Sequence, residues 1–258
     1  MSVRKSAAGP APRKSPVAPD TAARADAVLR TLERLGNPRN VEGMARYGIR
    51  SARAYGVPGP VIRRMARDLG RDHALAARLW NTGVFEARAI AVLVDEPGLV
   101  NDRQMEDWAA AFDSWAICDH ACGNLFDRAP LAWQKARAWP RRKAEYVRRA
   151  GFALIAWLAV HDKASPDSRF LEALPAIERA ASDDRNMVKK GVNWALRQIG
   201  KRNPALNRAA IACAERVRRQ GSRSARWIAA DALRELRSPA LRARFERRRH
   251  PVPRPRST

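Results

Sequence analysis

Long apolar runs are missing from this chain, and none approaches the roughly 18 to 20 residues that a membrane-spanning helix needs. The Arg- and Pro-containing N-terminus has no apolar centre of the kind a secretion signal carries. Neither membrane insertion nor export is expected, and the cytoplasm is. Cysteine is scarce: Cys118, Cys122 and Cys213 give no even set for a disulfide framework and fit a reducing compartment. Cys118, His120 and Cys122 are near in sequence, but positions two apart on a helix point in different directions, and no second cysteine pair completes a tetrahedral site. No metal is expected there, and the same geometry speaks against a Cys-His nucleophile. A glycine-rich loop to cradle phosphates and a dinucleotide fingerprint are also absent, so no nucleotide or other cofactor is expected.

Acid is in short supply as well. The 258 residues hold 26 Asp and Glu against 50 Lys and Arg, a formal net charge of +24, which points to a polyanionic partner, nucleic acid first among them. Residues 1–20 mix Ser, Ala, Pro, Lys and Arg without apolar period and read as a disordered basic arm. Residues 238–258, with Arg247, Arg248, Arg249, Arg254 and Arg256 among prolines, read as an Arg/Pro-rich basic tail. Residues 1–24 carry five Lys/Arg and one Asp, and 238–258 carry seven Arg and one Glu, so +14 of the charge stays on the middle. The domain expected over 21–237 is therefore basic in its own right, and the tails either solubilise it or add nonspecific contact to phosphates.

Within that domain the apolar period is helical almost throughout, and no convincing strand pattern occurs. Thr21 to Leu35 places Val28, Leu29, Leu32 and Leu35 on one face and meets Gly36, a natural left-handed cap. Pro60 opens a helix closed by Gly70, Asp72 caps the next, and Gly83 separates it from Val84–Val94. Further segments start near Asp102, Ser114, Pro130, Pro140, Asp167, Asp183, Pro204 and Ser222, joined by short breaks that favour antiparallel pairs. Runs led by Arg88, Arg149, Lys190 and Arg226 recur at roughly 35 to 60 residues, a spacing compatible with two-helix repeats. The fold expected is all-α, a HEAT-like helical-repeat solenoid of antiparallel helix pairs with a basic concave face.

One stretch stands apart from the solvated faces. Trp115 and Asp119 are four residues apart on an apolar helix, hence on one face, with Ile117, Cys118, Ala121 and Leu125 on the buried side and Asp113 or Ser114 available as cap. The ordinary reading is a surface Asp paired with Arg while Trp115 packs inside. The functional reading is a carboxylate set into a basic surface beside an indole.

From Asn37-Pro38 through Met44-Ala45-Arg46-Tyr47, Asp113-Ser114-Trp115 with Asp119, Arg148-Arg149-Ala150, and Val188 to Arg197 ending in Lys201-Arg202-Asn203-Pro204, the chain resembles the AlkD-like DNA alkylation repair family. The likeness spans about residues 25 to 237. That resemblance implies HEAT-like DNA glycosylases that remove alkylated purines, with Trp115 and Asp119 matching the catalytic pair, Trp194 the second active-site indole and Arg149 the DNA-facing arginine. It also implies Arg197 as a phosphate contact, with Arg46, Arg148, Lys190, Lys201 and Arg226 extending contact to DNA. The family also contains branches that bind DNA without excising bases.

Alkylation at purine N3 or N7 puts a positive charge on the base, so the leaving group needs no protein acid. A fixed carboxylate can oppose the developing oxocarbenium and direct a water onto it. Indole faces attract a cation. The reading is thus a DNA repair protein, a cofactor-independent DNA glycosylase for cationic alkylated purines that acts as a monomer on duplex, alkylated or distorted DNA. A noncatalytic HEAT-repeat binder of damaged or branched DNA, and a helical scaffold for an acidic protein, are the alternatives.

Overall fold

Asn, Asp and Ser punctuate the helices by accepting from free backbone N–H groups at their starts. The computed structural model describes residues 20–49 and 51–249, with the side chains of 248 and 249 left aside. Asp20 caps α1 (Thr21–Arg34), Asn37 caps α2 (Pro38–Arg46), and α3 (Gly59–Leu69) follows. Asp72 caps α4 (His73–Asn81) by accepting from the Leu75 N–H at 2.9 Å, and α5 is Phe85–Val94. Asn101 caps α6 (Asp102–Ala110), after which come α7 (Trp115–Asn124), α8 (Ala132–Ala138) and α9 (Glu145–His161). Then follow α10 (Asp167–Leu171), α11 (Leu174–Ala180) and α12 (Asn186–Gly200). Asn203 caps α13 (Pro204–Arg219), Ser222 caps α14 (Arg223–Leu236), and α15 is Pro239–Arg249. Single 3-10 turns lie at Pro97–Leu99, Phe126–Arg128 and Trp139–Arg141, and no strand occurs among the described residues.

The packing makes a helical-repeat solenoid. Sequential helices pair as α4 with α5, α8 with α9, and α13 with α14. A continuous row, α3 on α5 on α7 on α9 on α12 on α14, runs through the molecule, with α1, α4, α6, α8, α11 and α13 against it and α10 against α13. At its middle, α9 buries Val147 and every residue from Arg149 to Ala156, then Leu158 and Ala159. Four of these, Phe152, Leu154, Ile155 and Leu158, each contribute about 1.5–3 kcal/mol by leaving water. Glycine permits one close approach: Gly123 on α7 has no Cβ, and a methyl there would collide with the Trp157 indole of α9.

Several local expectations need correction. Gly36 is not left-handed; the positive-φ glycines are Gly48, Gly56, Gly70, Gly83 and Gly221, so α1 ends on Leu35 in ordinary backbone. Neither Asp113 nor Ser114 caps α7 with its side chain, because Asp113 is drawn to Ser51 at 3.0 Å and the Ser114 hydroxyl is buried without a partner. Pro140 sits in the 3-10 turn and α9 begins only at Glu145. The stretch from 238 begins as α15, whose Leu241 is buried and whose Phe245 packs against the core. Residues 1–19 and 250–258, most of the expected arm and the end of the expected tail, lie outside the described residues.

Candidate functional site

The helical period of α7 sends Ile117, Cys118, Ala121 and Cys122 into the core and leaves Trp115 and Asp119 half-buried on the other side. Arg149, one helix along on α9, meets Asp119 in a two-pronged pair: Nε donates to Oδ1 at 2.9 Å and Nη2 to Oδ2 at 2.6 Å. Its remaining Nη1 donates to the Met187 carbonyl on α12 at 2.7 Å, so one guanidinium joins α7, α9 and α12. Planar matching of guanidinium to carboxylate fixes direction as well as charge. Burial pushes the Asp119 carboxyl up from its ordinary range, opposed by the hydrogen bonds and charge of Arg149. The Arg149 guanidinium stays charged, its pKa raised by Asp119 against the pull of burial.

Two indoles stand beside this pair. Trp115 Nε1 donates to the Tyr47 carbonyl at 2.9 Å, which ties α7 to the turn after α2. Trp194 of α12 meets Trp157 edge-on, ring centres 5.4 Å apart, and Trp157 Nε1 donates to the Asp119 carbonyl at 3.2 Å. A cavity of about 600 Å³ opens here, with Arg46, Trp115, Asp119, Arg149, Lys190 and Trp194 on its wall. Tyr47, Gly48, Asn186 and Met187 complete it.

Gly48, Asn186 and Met187 carry no site signal in the sequence, and Tyr47, which closes a stretch that resembles the family, is assigned no role there. Tyr47 is 75% exposed, an aromatic standing in solvent at the cavity's edge. It lies in a turn, where hydrophobic period gives no warning. Farther along the chain, Glu86, a buried carboxylate at the start of α5, accepts from the N–H groups of Tyr55 (3.0 Å), Gly56 (2.6 Å) and Val57 (3.3 Å). Ser51 adds its bond to Asp113 beside α7.

The remaining basic candidates do not line the cavity. Arg148 turns away to the Pro140 carbonyl (2.9 Å) and Asp183 (2.8 Å). Arg197 pairs with Glu235 at 2.7 Å and reaches toward Asp231 at 3.6 Å, and Lys201 pairs with the same Glu235 at 2.8 Å. Arg226 is exposed and donates to the Gly221 carbonyl. Arg88, first of the recurrent basic residues, donates to the Ala111 carbonyl at 3.2 Å and lies 3.8 Å from Asp113. Of the four recurrent positions, only Arg149 and Lys190 reach the cavity. Cys118 and Cys122 pack in the core toward the Tyr146 and Ala150 carbonyls, each at 3.6 Å, and His120 is engaged by the Ala89 carbonyl at 3.1 Å and by Asn124.

A family model described as DNA alkylation repair enzyme matches residues 28–236, most of the chain and all of the cavity. The chain belongs to that family. Membership among DNA alkylation repair proteins supports a role in DNA repair and DNA as partner. Among solved structures, one described as a new family of proteins related to the HEAT-like repeat DNA glycosylases with affinity for branched DNA structures superposes with a TM-score of 0.68. The two are 19% identical, over 81% of this chain and 94% of that one, which establishes the HEAT-like fold. A designed armadillo repeat protein in complex with a (KR)4 peptide is 16% identical over 84% of this chain and 95% of that one, with a TM-score of 0.41. No curated protein matches the chain. No helix among the described residues is long and apolar enough to cross a membrane.

Proposed function

We propose that this alkylation repair family member is a cofactor-independent DNA glycosylase that excises purines carrying a positive charge from N3 or N7 alkylation. The observation that carries this reading is the Asp119 carboxylate, fixed by two hydrogen bonds from Arg149 on the wall of a cavity flanked by Trp115 and Trp194. The cationic base leaves with the electron pair of its bond to the sugar C1′ and becomes neutral. The sugar gains oxocarbenium character opposite Asp119, and water adds to C1′ while releasing a proton toward the carboxylate. Preorientation matters because a charge already fixed needs no rearrangement as the transition state forms. The indole faces suit a cationic base and the deoxyribose, and Arg46 and Lys190 at the edge suit the backbone phosphates.

The test is a panel of oligonucleotides, each with one lesion, incubated with protein alone. Release of N3- or N7-alkylated purines without release of uracil or hypoxanthine is expected, since a cationic base departs neutral whereas a neutral base needs its departing negative charge stabilised, and the group fixed at the centre of this site is itself an anion. Comparable release of uracil refutes the reading.

A second reading is a noncatalytic binder of branched or damaged DNA. It is favoured by the affinity for branched DNA stated for the superposed relative, and by Arg149 occupying both Asp119 oxygens. Silence across the lesion panel with tighter binding to a four-way junction than to a linear duplex would establish it.

A further inference from the structure

On another face of α9 lies a second, smaller pocket of about 150 Å³ that the alkylation repair reading does not use. Ile155 contributes to its floor, and being six residues beyond Arg149 it points about 120° around the helix from the Asp119 cavity. Trp133 of α8 and Ala176 of α11 complete an apolar base. Around it stand four arginines from four elements: Arg137 on α8, Arg141 in the 3-10 turn, Arg169 on α10 and Arg179 on α11.

Four guanidinium groups repel one another, and the pocket contains one carboxylate, Glu172. That carboxylate pairs with Arg137 at 3.3 Å, and both side chains are more than half exposed, so the pair is weak and easily exchanged. Arg169 lies over the Trp133 ring, 5.4 Å from its centre. Arg141 and Arg179 are exposed and donate to no acceptor among the described residues, although Arg179 also attracts neighbouring Glu178 at longer range. Glu178 itself is taken by Arg216.

We propose that this pocket is a docking site for an acidic peptide segment of a partner protein, one that carries an apolar side chain beside its carboxylates. Charge complementarity sets the sign of the occupant. The apolar floor sets its class: a phosphodiester backbone has nothing to place on Trp133, Ile155 and Ala176, whereas a Leu or Phe next to aspartates fills the base while the carboxylates meet the arginines. The placement on a different face of α9 allows the protein to hold such a partner while DNA occupies the Asp119 cavity, so the site is independent of whether that cavity is catalytic.

The experiment is fluorescence anisotropy with the full chain and a fluorescein-labelled Asp-Asp-Asp-Asp-Leu-Phe peptide, against a control ending in Ser-Ser. Saturable binding is expected, weakened about tenfold in the control because the anchor is lost. The exposed double reversal Arg141→Glu with Arg179→Glu, and separately Ala176→Phe, which plugs the floor but keeps every charge, are each expected to weaken the peptide about tenfold. Both should leave duplex affinity within about twofold and retain the parent's helical circular dichroism. Absence of saturable binding, equal affinity for the Ser-Ser control, unchanged affinity in two folded variants, or displacement of the peptide by a short duplex would each overturn the proposal.

Discussion

The Trp157 indole donates to the backbone carbonyl of Asp119 at 3.2 Å while its ring meets Trp194 edge-on. One side chain of α9 thereby sets both the residue that bears the carboxylate on α7 and the indole on α12 that faces the same cavity. Its place against α7 depends on Gly123.

Replacing Trp157 by Phe keeps most of the ring contact and removes the N–H. Stability should fall by about 1 kcal/mol, the usual net worth of such a bond. If the indole positions Asp119, base release should slow several-fold while duplex affinity is unchanged. Thermal melting with single-turnover release measures both, and an unaltered rate would show that the contact serves packing alone.

Asp119→Asn preserves shape and removes charge. It leaves the buried Arg149 cation without its anion, so a loss of up to about 3 kcal/mol in stability is expected. Base release should drop by more than about a hundredfold, some 2.7 kcal/mol in the barrier, with DNA binding kept or tightened. Activity within about tenfold of the parent would remove Asp119 from the chemistry.

The pH dependence separates into two signs. Burial raises the Asp119 pKa above its ordinary 3.8, so the stabilisation linked to this carboxyl is fully present below that value and is lost as pH rises through the raised one. Activity needs the ionised form, so release should fall off on the acid side at a higher pH than an ordinary aspartate would give, and Asp119→Asn should lack that limb. Asp183, held by Arg185, and Glu178, held by Arg216, have lowered pKa values. Their stabilisation is present above the ordinary carboxylate range and is lost as pH falls through the lowered values. Melting temperature should therefore decline toward pH 3, and Asp183→Asn should flatten the decline.

Glu86→Gln tests whether the hold on Tyr55, Gly56 and Val57 supports the turn at the cavity's edge. The carboxylate is 1% exposed and accepts from three backbone N–H groups. Its amide replacement turns one acceptor into a donor facing donors, at a cost of about 1–3 kcal/mol. Hydrogen exchange at Tyr55–Val57 should accelerate, and DNA affinity should weaken if Tyr47 and Arg46 contact the duplex.

Salt gives the size of the basic contact. Engagement of about six phosphates predicts a slope of log affinity on log salt of about −5 for duplex DNA. Deleting residues 1–19 and 250–258 should make it shallower without abolishing base release. A slope near zero for the full chain would favour the acidic-protein scaffold over DNA as the main partner.

Helical content was legible because period, caps and breaks are local: Asp72, Asn101 and Asn203 cap where the pattern begins, and Gly70 and Gly83 turn left-handed where it stops. The facing of Trp115 and Asp119 was equally local, four residues being one turn. Local rules misread Gly36 and Asp113, because a tertiary partner decided the conformation: Asn37 N–H reaches the Tyr55 carbonyl at 2.7 Å, and Asp113 is claimed by Ser51. Which arginine meets Asp119 is a question of neighbouring helices. Arg148 and Arg149 are adjacent and chemically identical, yet about 100° of helical turn sends one to Asp183 and the other to Asp119. Arg197 and Lys201 read as free cations until α14 brought Glu235 against them. The chain's sequence determined the helices, their order and the faces they bury, because those follow from spacing along one strand of covalent bonds. Only the packed row of helices decided which charges are spent on each other and which remain at the cavity, because that depends on side chains 30 to 40 residues apart meeting at hydrogen-bond distance.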